Sequence, residues 1–350
     1  MRFVHETLPQ RVRFASGEAA AQLAEEVDRL GVSRLMVIAT ETQQPVSHRI
    51  ADGLPVAVWH HGVAMHVPAA VAEDARRVAR VHDVDALVSV GGGSTTGLAK
   101  AVALTTGLPI IAVPTTYSGS EATDVWGLTG DGRKRTGTDR SVLPRAVVYD
   151  ATLTVSLPVE MSIASGLNAL AHCVDSMWAP RADPINGALA VEGIRAVATG
   201  LPVLTGDPAD LDAREQLLYG AYLSAVAFAS AGSGLHHKIC HVLGGMFDLP
   251  HAQTHAVVLP HVLALNAAAA PAAEQRLADA FGSATATDGL RTLRESVDAP
   301  AALRDYGMPD SGIPAAVRAV LEAAPADNPA PLTPEIVTAL LRAAWEGRQP

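Results

Sequence analysis

The stretch Ala86-Leu87-Val88-Ser89-Val90-Gly91-Gly92-Gly93-Ser94-Thr95-Thr96-Gly97-Leu98-Ala99-Lys100 carries the reading of the fold. Ala86 to Val90 is short, mostly apolar and bounded by glycine, which predicts a buried strand. Three glycines follow, and Thr95 to Thr106 then predicts a helix. Upstream, Val67 to Val81 predicts a helix, Val56 to Trp59 a strand and Arg34 to Ala39 another. The helix predicted from Glu18 to Leu30 is stopped by Gly31, a residue suited to a left-handed C-terminal cap. Downstream, Pro109 to Pro114 is a further strand. Apolar runs alternating with helices predict parallel strands covered on both faces, an α/β doubly wound domain.

The texture changes near Leu157-Pro158. From there the chain is rich in Ala and Leu with helical spacing, and few β-branched clusters remain. The expected division is an α/β dinucleotide-binding domain over 1–155 and an all-helical substrate and catalytic domain over 156–350. Residues 324–334 are expected to form a loop before a last helix, Pro334 to Gly347. The basic stretch Arg133 to Arg145 reads as a solvated hairpin.

A length of 350 residues suits about two domains at roughly 150 residues each. The hydrophobic share of 49% against 18% charged excludes a disordered chain. The net charge of −10 leaves no basic face, so no nucleic-acid partner is expected. Two cysteines, Cys173 and Cys240, are too few for a disulfide scaffold. No unbroken apolar run reaches the ~18 residues of a membrane span. Nor does the N-terminus show a secretory h-region. A soluble, cytoplasmic enzyme is expected.

Three groups of residues stand out for their chemistry. Glycines between a buried strand and a helix let backbone N–H groups approach a pyrophosphate, and a tight turn would use them equally well. The pattern lacks the Lys of a phosphate-binding P-loop, and Thr96 stands where a dinucleotide fingerprint needs its third glycine. Pro114-Thr115-Thr116-Tyr117-Ser118-Gly119-Ser120-Glu121 places hydroxyls at a strand's carboxyl end, where ligands of open sheets bind. It is equally a capped helix start in which Glu121 completes a capping box. Finally, Asn168 and His172 share one helix face, as do His237 and His241, with His251 and His255 close behind. Such a group suits a metal ion or a metal-free proton-donor and anion-binding cluster.

These segments resemble the iron-containing alcohol dehydrogenase superfamily, which includes dehydroquinate synthase, and within it the maleylacetate reductases. The likeness runs through GGGSTTGLAK (91–100), PTTYSGSE (114–121), VLPRAVVYD (142–150), SGLNALAHCVDS (165–176) and GLHHKICHVLGGMFDLPHAQTHAVVLPHV (234–262). The resemblance implies a dehydroquinate synthase-like fold and NADH or NADPH as hydride donor, with the active site in a cleft between the domains. It places Gly92, Gly93 and Ser94 on the pyrophosphate loop and Thr115, Thr116 and Ser118 on a second nucleotide segment. Lys134 is implied near the nicotinamide ribose and Glu41 near the adenosine ribose, where a carboxylate favours NADH.

Metal-dependent relatives use an Asp and three His. Here the matching positions are Asn168, His172, His237 and His251, so the anionic ligand has become an amide. Gly97 also stands where the family commonly has Asp. The resemblance therefore implies a cationic pocket that needs no metal, in which Asn168, His172, His237, His241 and His251 act on a small dicarboxylate. The implied reaction is reduction of the C=C bond of maleylacetate to 3-oxoadipate in the degradation of aromatic compounds, by a homodimer. The alternative is a metal-dependent (Fe or Zn) alcohol or aldehyde oxidoreductase, with Asn168 ligating through its amide oxygen. Further readings are a dehydroquinate synthase-like lyase, which would need a metal and more basic residues for a phosphorylated substrate, and a non-catalytic dinucleotide-binding module, which would have no need of the histidine-rich window.

Overall fold

The computed structural model describes residues 2–130 and 133–350, leaving the side chains of Arg133 and Lys134 aside. The chain divides into two compact units, Leu8–Leu157 and a second formed by Pro158–Pro350 together with the first seven residues.

The first unit runs β1 (Arg11–Phe14), α1 (Ala19–Leu30), β2 (Leu35–Ile38), α2 (Gln44–Ile50), β3 (Val56–His60), α3 (Ala69–Val81) and β4 (Ala86–Gly91). It continues with α4 (Gly93–Thr106), β5 (Ile110–Pro114), β6 (Val125–Gly130), β7 (Arg133–Thr138) and β8 (Ala146–Tyr149). Six strands form one sheet in the order β1-β8-β5-β4-β2-β3, and every pairing in it is parallel. Alternate side chains of a strand leave opposite faces, and this sheet uses both. Leu35, Val37, Val88, Val90 and Val113 pack with Leu23 and Val27 of α1. Met36, Ile38 and Leu87 pack with Ala72 and Ala75 of α3 and with Leu98 and Val102 of α4. β6 and β7 form an antiparallel hairpin outside the sheet; the basic stretch expected to be a hairpin by itself supplies only β7, and its later part turns through a 3₁₀ segment at Arg140–Val142.

Two strands of this sheet, and β6 outside it, escaped the sequence reading. β1 is an edge strand whose Arg11 and Arg13 carry its polarity. Both guanidinium groups donate to the buried Glu26 carboxylate of α1, so residues that read as solvated tie the edge strand to a helix. β8 lies between β5 and β1, inside a motif whose Asp150 accepts from the N–H groups of Gly17 (2.8 Å) and Ala19 (3.0 Å). That carboxylate caps α1 from across the chain.

The second unit consists of α5 (Val159–Ser176), α6 (Pro184–Gly206), α7 (Leu211–Ala231), α8 (Leu235–Phe247), α9 (His251–Ala267), α10 (Pro271–Phe281), α11 (Ala286–Ser296), α12 (Ile313–Ala323) and α13 (Pro334–Glu346). The early residues counted with the α/β domain in the sequence reading join this unit instead. There the His5 ring lies 2.8 Å from the Asp183 carboxylate. α5 is buried along most of its length, because α6, α7 and α9 all pack on it. α6 is long and apolar enough to cross a membrane by length and composition, but half of its most apolar window is buried inside this unit.

Candidate active site

In the α/β unit, β4 runs into Gly91, whose φ of +153° is costly for any residue with a Cβ. The Thr115 N–H donates to the Gly91 carbonyl at 3.1 Å, joining the ends of β4 and β5. A Cβ on Gly92 would meet Thr116 Cγ2 at 2.9 Å, and one on Gly93 would meet Ser118 Oγ at 3.3 Å. The glycine loop and the hydroxyl segment are therefore two walls of one place. α4 starts at Gly93, and the first N–H groups of a helix have no acceptor within it. Ser94, Thr116 and Ser118 are half-buried around this helix start, while Thr115 is buried beneath it. The strand order reverses between β2 and β4, the position at which open sheets bind ligands. Glu41 is exposed in the short 3₁₀ turn just after β2, on this same end of the sheet. Lys134 pairs with Thr129 in the β6–β7 hairpin, but its side chain lies outside the described residues.

Lys100 was missed by sequence reasoning. It is fully buried, and its Nζ donates to the carbonyls of Ser120 (2.6 Å), Thr123 (2.7 Å) and Val125 (2.9 Å) and to Thr123 Oγ1 (3.0 Å). Burial pulls its pKa down to about 7. The lysine thereby holds the segment that continues from the hydroxyl loop. Glu121 does not complete a capping box. It is buried in a 3₁₀ turn and accepts from the Tyr149 hydroxyl at 2.8 Å, and burial raises its pKa.

Gly97 has a packing reason. A Cβ there would come within 3.0 Å of Val67 Cγ2, so this position has no room for the larger Asp side chain without movement.

In the helical unit, Asn168 and His172 are buried on one face of α5, and the next position on that face, Asp175, is fully buried. The His172 ring stacks on the His237 ring of α8 at 4.9 Å between centroids, and Phe228 of α7 packs against both. Asp175 Oδ2 accepts from His237 Nδ1 at 2.7 Å and from the Gly234 N–H at 2.9 Å. The N–H groups of His236 and His237 approach the same carboxylate at 3.4 Å each. A Cβ on Gly234 would collide with that carboxylate, so only glycine lets α8 start so close to Asp175. His237 Nε2 and His172 Nδ1 are buried without a hydrogen-bond partner.

The other two histidines singled out from sequence lie further along the ring chain. His241, half-buried, is 6.3 Å from His237 between centroids, and His251, exposed at the start of α9, is 6.4 Å from His241. His251 also lies 4.3 Å from His255.

Electrostatics correct the expectation of a cationic pocket. Burial lowers His172 to about 4, and it drives His237 well below its ordinary range. Burial also raises Asp175 to about 7, against the pull of the backbone N–H groups of His237, Gly234 and His236. Near neutral pH the buried rings are uncharged, because each loses hydration and neighbouring rings repel added charge. Asp175 was not singled out from sequence, although the face shared by 168 and 172 leads on to 175.

Comparison with known proteins agrees with this architecture. The iron-containing alcohol dehydrogenase model matches residues 9–151, and the C-terminal model of the same family matches 162–345. Maleylacetate reductase of Sphingobium indicum is 46% identical over 353 aligned positions, covering 100% of this chain and 99% of that protein. The crystal structure of maleylacetate reductase from Agrobacterium tumefaciens superimposes with a TM-score of 0.94 at 41% identity, covering 100% of both chains. An iron-containing alcohol dehydrogenase from Corynebacterium glutamicum does so with 0.98 at 59% identity, covering 100% of this chain and 98% of that one. The chain is thus an oxidoreductase that belongs to the iron-containing alcohol dehydrogenase family, in its maleylacetate reductase branch.

Proposed function

We propose that this enzyme reduces the C=C bond of maleylacetate with NADH or NADPH, giving 3-oxoadipate. The observation that carries the reading is the full-length alignment with maleylacetate reductases, at 46% identity to the Sphingobium indicum enzyme and 41% to that of Agrobacterium tumefaciens. In balance, the substrate takes up a hydride and a proton while the nicotinamide is oxidised.

The α/β unit fits a dinucleotide. A loop with no Cβ at Gly92, walled by Thr116 and opening a helix at Gly93, gives a pyrophosphate backbone N–H groups and hydroxyls. When bound, the reduced nicotinamide supplies hydride to the alkene carbon β to the ketone. Gly92, Gly93, Ser94, Thr115, Thr116 and Ser118 hold the nucleotide in this reading, with Glu41 accepting from a free ribose 2′-hydroxyl and favouring NADH.

The helical unit supplies the rest. Hydride addition places negative charge on the ketone oxygen as an enolate, and the adjoining carbon then takes a proton. His237, held by Asp175, offers Nε2 to the substrate, and His172 stacks beside it. A dicarboxylate arriving next to these rings favours their protonated forms, opposing the penalty that burial imposes on them. His241 and His251 extend the same face toward solvent.

The family name implies iron, so membership lends no support to the expectation that metal is unnecessary. Yet the four positions that match its ligands do not fit an ion as arranged here. Asn168 is neutral, and among the described residues His172, His237 and His251 do not bring three ligand atoms within 4.8 Å of one another. No step above uses a metal. We further propose a cytoplasmic homodimer acting in aromatic-compound catabolism, in line with the resemblance and with neither nucleic acid nor membrane as partner.

The test is an anaerobic assay of chelator-treated and untreated protein with maleylacetate and each reduced nicotinamide. Stoichiometric 3-oxoadipate supports the reading. Turnover of simple aldehydes but not maleylacetate, restored by Fe²⁺, would replace it with the alcohol dehydrogenase alternative.

A further inference from the structure

His236 and Cys240 stand four residues apart on one face of α8, and His255 faces them from the second turn of α9. None of the three has a place in the reaction above, and all are buried, with relative exposures of 0%, 1% and 0%. His236 Nε2 lies 3.0 Å from His255 Nδ1 and 3.7 Å from Cys240 Sγ. Among the described residues, this is the group of His, Cys or carboxylate side chains whose ligand atoms all fall within 4.8 Å of one another.

Tetrahedral zinc, with Zn–N of about 2.0–2.1 Å and Zn–S of about 2.3 Å, spaces two nitrogens about 3.3 Å apart and a nitrogen and a sulfur about 3.6 Å apart. The two separations from His236 Nε2 differ from these by a few tenths of an ångström. Proton counting points the same way. His236 Nε2 has one in-plane position, for a proton or a lone pair, yet both His255 Nδ1 and Cys240 Sγ converge on it. One hydrogen bond leaves the other contact unserved, whereas an ion serves all three.

Charge counting agrees as well. Burial, with the carboxylate of Asp175 adding to it, pushes the Cys240 thiol well above its ordinary range. A coordinated thiol ionises regardless. A divalent ion would then offset the charge of the Cys240 thiolate.

We infer that His236, Cys240 and His255 form a binding site for a divalent ion of zinc type, distinct from the positions of Asn168, His172, His237 and His251. Two imidazoles with one thiolate suit a borderline-soft ion such as Zn²⁺ or Co²⁺ better than Mg²⁺ or Ca²⁺. The ion would clip α8 to α9, the two helices that carry the histidine-rich window.

The experiment is titration of chelator-treated, reduced full-length protein with Co²⁺, read by absorption. The expected result is one equivalent bound with a sulfur-to-cobalt charge-transfer band, present in Cys173→Ser and His172→Ala but lost in Cys240→Ser. X-ray absorption of the zinc-loaded wild type provides a reading that needs no variant, with one sulfur expected among the nearest neighbours. Cobalt binding without a sulfur band, no binding at all, a zinc shell free of sulfur, or a band that persists in Cys240→Ser would each overturn the site.

Discussion

The Asp175 carboxylate on α5 accepts a 2.7 Å hydrogen bond from His237 Nδ1 on α8, and both side chains are buried. With a carboxylate as partner the bond favours the tautomer that carries its proton on Nδ1, and Nε2 is buried without a hydrogen-bond partner. The three backbone N–H groups around the same carboxylate make it the anchor of the α8 start as well.

Replacing Asp175 by Asn preserves the shape but removes the charge and the obligatory acceptor. Steady-state kinetics of Asp175→Asn should show kcat lower by roughly 10²-fold, the scale of a lost acid–base element, with the dissociation constant for NADH unchanged. An undiminished kcat would remove His237 orientation from the mechanism. Asp175→Ala, which strands buried N–H donors, should also unfold at lower temperature than Asp175→Asn.

The contact between the glycine loop and the hydroxyl segment makes Gly92 sensitive. A methyl group there sits 2.9 Å from Thr116 Cγ2, so either the loop or the threonine must move. Fluorescence titration of Gly92→Ala should show NADH affinity reduced by about tenfold, equal to about 1.4 kcal/mol. The double variant Gly92→Ala/Thr116→Ala should recover part of the loss. Wild-type affinity in the single variant would show that the loop does not carry the pyrophosphate.

Lys100 is a stability prediction. Lys100→Met leaves the carbonyls of Ser120, Thr123 and Val125 without their donor in a buried place. Removing the partner of such groups costs about 1–3 kcal/mol each. Calorimetry should therefore show a Tm lower by many degrees, and an unchanged Tm would mean that water replaces the ammonium.

Acid should unfold this protein through its buried imidazoles, and His261 isolates the effect from the site. Burial lowers His261 to about 4. The unfolded chain takes up a proton near the ordinary value of about 6.5 while the folded chain resists, so stability is complete above that pH and falls as pH drops toward 4. On the order of 3 kcal/mol is at stake by the lower limit. Urea midpoints measured from pH 7 to pH 4 should fall less steeply in His261→Gln than in the wild type. Parallel slopes in the two proteins would refute the assignment.

Local pattern made most of the fold legible. β2, β4 and β5 are buried on both faces and read as continuous apolar runs. The helix terminators Gly31 and Gly347 adopt left-handed conformations, with φ of 65° and 77°. β1 escaped because its Arg side chains pair with Glu26 fifteen and thirteen residues away, a relation that no short window contains. The glycine loop and the hydroxyl segment were each ambiguous alone, and only the fold brings them into contact through Thr116 and Ser118.

What the sequence determined by itself is the alternation of β2, β3, β4 and β5 with α1, α3 and α4, the glycine turn and the face shared by Asn168 and His172, because periodicity and backbone freedom act over a few residues. Only the tertiary structure decided that Asp175 would hold His237, that Lys100 would be sealed among carbonyls, and that His172 and His237 would be neutral. Those outcomes depend on burial and on partners brought together by packing, and a group's charge follows the solvent it has lost.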